Sequence, residues 1–526
     1  MLFARRAGYC AAALFTALVA SAIAQEAARL GIFTHHQDVG VILHPGSAKY
    51  DPATQTYTIT GSGDNMWFGK DQFHFVWKKV SGDFALSADI HFLGTTGNEH
   101  RKAVLMVRQS LDTGSLAVDA AFHGNGLTSL QFRDTLGGDT HEIESAATAP
   151  QRLRIEKRGD RFYLFISAAD GKLEPAGASI RVPMTGGLYV GLGVSAHNKD
   201  VSETAVFSHV TLEPLAPGTG TPTPTLWSVL ETVNVASTDR RVGYRAAAHF
   251  EAPNWSRDGS FLLINRTEGH GPTATGRIVR LSWTQANLAA TDPKVVDTTP
   301  QTHVNNDHGL SPEGGELAIS DSPDADHMSR IYIVPVTGGT PRQVTPTGPS
   351  YWHGWSPDGK MLAFTGMRNG DFDIYTIPAA GGAETRLTTA KGLDDGPEYS
   401  EDGQYIYFNS ERSGHVQIWR MHTDGSGQEQ VLTDEDNDWF PHISPNGKLM
   451  VYVVYDRSVT GHPPGLDVEI RMLSLADHTV KIIAKLFGGQ GTMNVPSWSP
   501  DSMRIAFVSY ELLPADSATA GGNVSP

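Results

Sequence analysis

Six short turns constrain this chain more than any other feature. Ser256-Arg257-Asp258-Gly259, Ser311-Pro312-Glu313-Gly314, Ser356-Pro357-Asp358-Gly359, Ser400-Glu401-Asp402-Gly403, Ser444-Pro445-Asn446-Gly447 and Ser499-Pro500-Asp501-Ser502 follow one another at serine-to-serine steps of 55, 45, 44, 44 and 55 residues. Proline and the Asp-Gly or Asn-Gly pair are what tight hairpins select. Short strands repeating every roughly 40–50 residues indicate sheets arranged radially as propeller blades. Residues 348–390 make one such unit: a strand ending at Trp355, the turn, and strand-like runs at 361–364, 373–377 and 385–388. The last copy runs out after two strands, near 505–508, so the stretches 226–233 and 240–247 are expected to complete a sixth blade. That would close the ring and remove its exposed sheet edges.

Before the repeats lies a Pro/Gly/Thr tract, 214–225, with no apolar periodicity, which reads as an extended linker. Upstream of it, 28–213 carries alternating runs such as 56–60, 84–90, 104–108, 152–156, 161–166 and 188–192, the period of an antiparallel sandwich. Residues 1–24, with Arg5 and Arg6, an apolar run and Ala22-Ile23-Ala24, read as a secretory signal. The only cysteine, Cys10, lies within it, so the mature chain is expected to lack thiol chemistry and disulfides. No later stretch reaches the ~20 apolar residues of a membrane span. The expectation is a periplasmic or secreted protein, not inserted in a membrane after signal removal, with a disordered tail at 514–526. A net charge of −16 repels phosphate backbones, which argues against nucleic acid as a partner and leaves a carbohydrate or an envelope protein.

The runs "FHFVWKKVSGDFALSADIHF" and "HRKAVLMVRQSLDTGS" resemble the concanavalin-like (laminin-G-like) sandwich domains of secreted bacterial carbohydrate-active proteins. That resemblance implies a glycan-binding accessory role. Trp67, in "NMWFG", fits a packed edge aromatic better than a sugar-stacking platform, and His35-His36 reads as a solvated terminus. The repeats of 225–513 resemble the TolB-type propeller. The same kind of repeat builds the oligogalacturonate lyases, which hold a divalent metal with histidines, and the non-catalytic propellers of oligopeptidases. No Gly-x-Ser-x-Gly elbow follows here. The predicted fold is therefore all-β: an N-terminal concanavalin-like β-sandwich followed by a six-bladed TolB-type β-propeller.

Counting back from each turn serine compares the blades. Three residues before it stand Pro253, His308, His353, Pro397, Pro441 and Pro496; five before it stand Glu251, Asn306, Tyr351, Asp395, Trp439 and Asn494. In a strand of period two, offsets three and five share a side, so these residues are expected to converge at the channel mouth. Loops on that face add His270, Arg368, Arg412, His415 and His462. The candidate catalytic set is His353, His308, Glu251, Asp395, Arg368 and Arg412. The candidate substrate-binding set is Asn306, Tyr351, Asp394, Trp439, Asn494 and His462. His308 and His353 are candidate ligands of one divalent cation, manganese, zinc or calcium. Asp394-Asp395 and Asp307 suit turn capping as readily as function, and His442 reads as structural.

These sets support a carbohydrate-active enzyme. A lyase would use the metal and an arginine on a uronate, with a histidine taking its proton. A hydrolase would pair Glu251 with Asp395 or Asp394. The alternative is a non-catalytic TolB-like envelope scaffold that receives a peptide at the propeller mouth.

Overall fold

A computed structural model describes residues 30–167, 171–215, 224–269, 274–284, 288–323 and 326–514. The expected signal, residues 216–223 of the linker, residues 515–526 of the tail and His270 lie outside the described residues. Among the described residues every regular element is a strand. No helix there is long and apolar enough to cross a membrane. The chain divides into two compact units, Met1–Thr221 and Pro222–Pro526.

The first unit holds two antiparallel sheets. In one, Phe73–Val80 lies between His35–Val39 and Leu188–Ser195, followed by Lys102–Arg108, Ala117–His123, Thr128–Arg133 and His141–Glu144. The other runs from Leu173–Arg181 through Arg161–Ser167, Arg152–Arg158, Phe84–Phe92, Asn198–Pro214 and Thr56–Gly63 to Ser47–Asp51. Alternation buries Leu105, Val107, Val118 and Leu130 from the first sheet and Ile59, Leu86, Ile155 and Phe207 from the second. Trp67 packs under the Lys102 ammonium, 5.0 Å from its ring centre. His35 and His36 are solvent-exposed, as expected, but they do not lack partners. The strand they open pairs with Phe73–Val80, which stacks His35 on Trp77 and sets His36 Nδ1 3.0 Å from His74 Nε2.

In the second unit five repeats each fold into a four-stranded antiparallel sheet. Their first strands, Phe250–Trp255, Val304–Leu310, Ser350–Trp355, Asp394–Tyr399 and Asn437–Ile443, touch in succession. The repeated serine is the reason each hairpin forms where it does. In one, the Met361 N–H donates to Ser356 Oγ at 2.9 Å, Ser356 Oγ donates to Asp358 at 2.7 Å, and the Lys360 N–H donates to the same carboxylate at 3.1 Å. Gly359 completes the turn with φ of 69°. The same serine-to-carboxylate or serine-to-amide bond recurs at Ser256, Ser400, Ser444 and Ser499. Tryptophans before the turns tie blades together, Trp355 Nε1 donating to Gly309 O and Trp498 Nε1 to His442 O.

Thr225–Asn234 joins the two ends of this unit, pairing with Arg504–Leu513 on one side and Arg240–Ala246 on the other. Trp498 meets Ile505 through a single bridge. Five complete four-stranded blades and this three-stranded group are therefore what the described residues form, where six full blades were expected.

Candidate functional site

The first strand of every complete blade slips register. The shifts fall between Glu251 and Asn254, Val304 and His308, Trp352 and Gly354, Asp395 and Glu398, and Trp439 and His442. A bulge inserts an extra residue into one strand and breaks the alternation of its side chains. In three blades the residue four before the turn serine is left-handed, Ala252 at φ 55°, Gly396 at 62° and Phe440 at 55°, and proline follows each. In the two blades that carry histidine instead of that proline, the corresponding Asp307 and Trp352 are not left-handed.

Equal offsets therefore do not point equal ways. His353 lines a cavity of about 550 Å³ among the first strands, and His308 does not. His308 is fully buried, neither ring nitrogen has a well-aligned hydrogen-bond partner, and burial pulls its pKa down to about 4. Asn305, Asn306 and Asp307 reach the cavity from its strand instead.

One wall is a linked set. His353 Nε2 lies 3.4 Å from Asp395 Oδ1, and that oxygen also accepts from Thr365 Oγ1 at 2.7 Å and from the Gly396 N–H at 2.8 Å. His462 Nε2 stands 3.8 Å from the other Asp395 oxygen, with its ring edge-on to Trp439 and Phe440 and its Nδ1 against Gln490. Phe440 stacks at 5.9 Å on His353. Burial alone would lift the Asp395 pKa, but the His353 bond and the charges of His353 and His462 outweigh it and hold the carboxyl well below its usual range. Burial likewise opposes charge on His353, yet the Asp395 bond and the Asp307 and Asp395 charges raise its pKa. For Asp307 burial wins: despite the His353 charge, it and the Asp395 charge push the carboxyl up to about 7. Two carboxyls around one imidazole are thus shifted in opposite directions.

Tyr351, Asn306, Asn494 and His462 line the cavity as the sequence suggests. Glu251 is not in the lining; burial first, then the Asp307 charge, push it up to about 7 against a hydrogen bond from Asn306. The two arginines lie outside this lining. Arg368 is held inside its blade by Glu384, at 2.8 and 2.9 Å, and by the Pro349 carbonyl. Arg412 pairs with Asp394 at 2.7 Å, and neither borders the cavity that Asp395 lines, in keeping with successive strand residues facing opposite ways. Trp439 is fully buried and serves as a platform for His462. His415 bonds the Asp434 carbonyl, and His442 bonds Glu398 at 2.5 Å and the Met493 carbonyl. The sequence comparison overlooked Thr365, Phe372, Leu393, Phe440 and Gln490. Thr365 was reachable, since it is the cross-strand partner of Tyr351; the others depend on bulges and loops.

The expected divalent-cation site does not fit. His308 does not border the cavity that His353 lines, and among the described residues no group of three His, Cys, Asp or Glu side chains is arranged to hold a metal.

Fold and site together define a β-propeller with a pocket of carboxyl, imidazole and aromatic side chains among its first strands. The TolB β-propeller domain family matches residues 309–462. An uncharacterised protein of Agrobacterium fabrum (strain C58) is 46% identical over 284 residues, which is 54% of this chain and 92% of that protein. A solved Agrobacterium tumefaciens structure described as "putative TolB" is 46% identical, covers 55% of this chain and 99% of its own, and superposes with a TM-score of 0.51. The chain belongs to this family of TolB-type β-propeller proteins. An oligogalacturonate lyase solved with manganese is 13% identical over 52% of this chain and 76% of its own, with a TM-score of 0.33, and supplies no argument about chemistry.

Proposed function

We propose that this is a secreted or periplasmic carbohydrate-active protein that binds a saccharide in the Asp307–His353–Asp395 pocket and hydrolyses it by general acid–base chemistry. On this reading the first unit is a concanavalin-like sandwich that assists glycan binding, and the closing group of strands with Trp498 is the sixth blade. The observation that carries it is the opposed shift of the two carboxyls, the arrangement that separates an acid from a base at one pH. Asp307, still partly protonated near neutrality, gives its proton to the leaving glycosidic oxygen. Asp395, ionised and paired with His353, takes the proton of the attacking water as its oxygen bonds to the anomeric carbon and the glycosidic bond breaks. Tyr351, Phe372 and Phe440 supply apolar surface for the sugar ring, and Asn306, Gln490 and Asn494 supply hydroxyl partners. The lyase alternative loses its parts, because both candidate arginines are engaged elsewhere and the two histidines do not share a site.

Reducing-end release from a panel of oligosaccharides tests this. The wild type is expected to cleave at least one member, and Asp307→Asn to lower kcat by about 10²-fold or more. The TolB family match favours a second reading, a non-catalytic envelope protein whose pocket receives a partner. Binding without turnover across the panel would support that one.

A further inference from the structure

The turns that build the blades are not all alike. Their second residue is proline in four repeats, Pro312, Pro357, Pro445 and Pro500, but Arg257 in the first blade and Glu401 in the fourth. Proline pre-sets the backbone angle of that turn position, so the hairpin itself calls for neither charge. The first strands of these two blades, Phe250–Trp255 and Asp394–Tyr399, stand three steps apart in the succession of touching first strands, yet Arg257 and Glu401 line one cavity. It lies at the turn end of those strands, has a volume of about 80 Å³ and shares no lining residue with the pocket beside His353. Its walls are aromatic, formed by Trp255, Trp355, Tyr399 and Trp498. Glu398 also borders it but is already engaged, accepting from His442 Nδ1 at 2.5 Å and from the Ile443 N–H at 2.9 Å. Arg257 and Glu401 are not: among the described residues neither has an ion-pair partner within 4.0 Å, although the Arg257 charge acts on Glu401. Both residues are exposed, yet burial is the largest influence on the Glu401 carboxyl and lifts its pKa against that charge, as suits a group turned toward the cavity. A ligand with a single charge would meet its opposite on one of these residues and its like on the other. A zwitterion meets an opposite charge on both.

We infer that this cavity binds a free α-amino acid with a short aliphatic side chain, its carboxylate on Arg257, its ammonium on Glu401 and its side chain against the aromatic walls. The planar guanidinium of Arg257 offers a carboxylate two parallel donors, and an ammonium brings three donors to Glu401. Size sets the side chain: an apolar cavity of roughly 150 Å³ takes up benzene, so about 80 Å³ suits alanine or valine. The saccharide reading above does not enter this inference, and the two fail independently.

Calorimetric titration of the full chain at pH 7 with alanine and valine, each beside its decarboxylated and its deaminated counterpart, tests this. At least one amino acid is expected to bind, about tenfold or more tightly than either of its single-charge counterparts. Arg257→Pro and Glu401→Pro give each turn the residue that its four sister turns carry, so both variants should melt like the wild type. Each is expected to weaken binding about tenfold or more, and Arg257→Gln and Glu401→Gln to do the same. Undiminished binding by the folded variants, counterparts that bind as tightly as the amino acids, or no binding of either amino acid at about 10 mM would each overturn the inference.

Discussion

At the residue scale, Asp307 is the most exposed to test. Its folded pKa is raised from 3.8 to about 7, so the folded state binds a proton that the unfolded chain has already lost. The resulting cost is absent below pH 4, grows as pH rises toward about 7, and is constant beyond it. Asp307→Asn removes that cost, so the variant should match the wild type in a thermal melt near pH 4. It should gain roughly 2–4 kcal/mol on it by pH 8. A gap that stays constant across that range would contradict the assignment. The sequence made part of this pocket legible. Tyr351, His353, Asp395, Asn306 and Asn494 follow from lining up the repeats, because chain-wide periodicity converts position into place. Asp307 was ambiguous, since a carboxyl beside a turn caps it as readily as it functions, and only burial distinguishes the two. His308 misled because proline-to-histidine exchange in adjacent blades looks like one event, whereas only His353 borders the cavity and His308 is buried apart from it.

At the element scale, the bulges decide which side chain enters the cavity, and Gly396 is the clearest case. Its φ of 62° favours glycine, and a Cβ there would lie 2.8 Å from Asn409 Oδ1 and 3.1 Å from the Phe440 ring. Gly396→Ala should therefore cost about 1–3 kcal/mol in a denaturant titration and weaken saccharide binding by displacing Asp395. The blade turns make a different prediction. Asp258 and Asp358 accept hydrogen bonds from their turns, which lowers their pKa from 3.8 to about 2. Depressed carboxyls stabilise the fold above the unfolded value and lose that contribution as pH falls through the folded one. The propeller should accordingly weaken between pH 4 and pH 2, as followed by tryptophan fluorescence. Turn chemistry is local, which is why the repeat was readable in full; a bulge is a mismatch between two strands, and one strand's sequence does not contain it.

At the scale of the whole molecule, ring closure holds the second unit together. Thr225–Asn234 pairs with Arg504–Leu513 along its length. Glu231 fixes that junction, accepting from Arg240 at 2.8 and 2.9 Å and from Ser509 Oγ at 2.5 Å, with all three buried. Glu231→Ala leaves the Arg240 charge buried and unpaired, and should cost about 3–5 kcal/mol, seen as a lower melting temperature of the propeller. Closure was legible from a count of strands left over at the two ends of the repeat. The closing group does not repeat the regular blade, because its first strand contributes only the Trp498 bridge.

The central claim, that the cavity beside His353 is the functional site and His308 belongs to the core, is tested most directly by calorimetry on two variants. Using the saccharide that the wild type binds best, His353→Leu should weaken binding about tenfold or more, while His308→Leu should stay within about twofold. Undiminished binding by a folded His353→Leu variant, or an equal loss in a folded His308→Leu variant, would contradict the account.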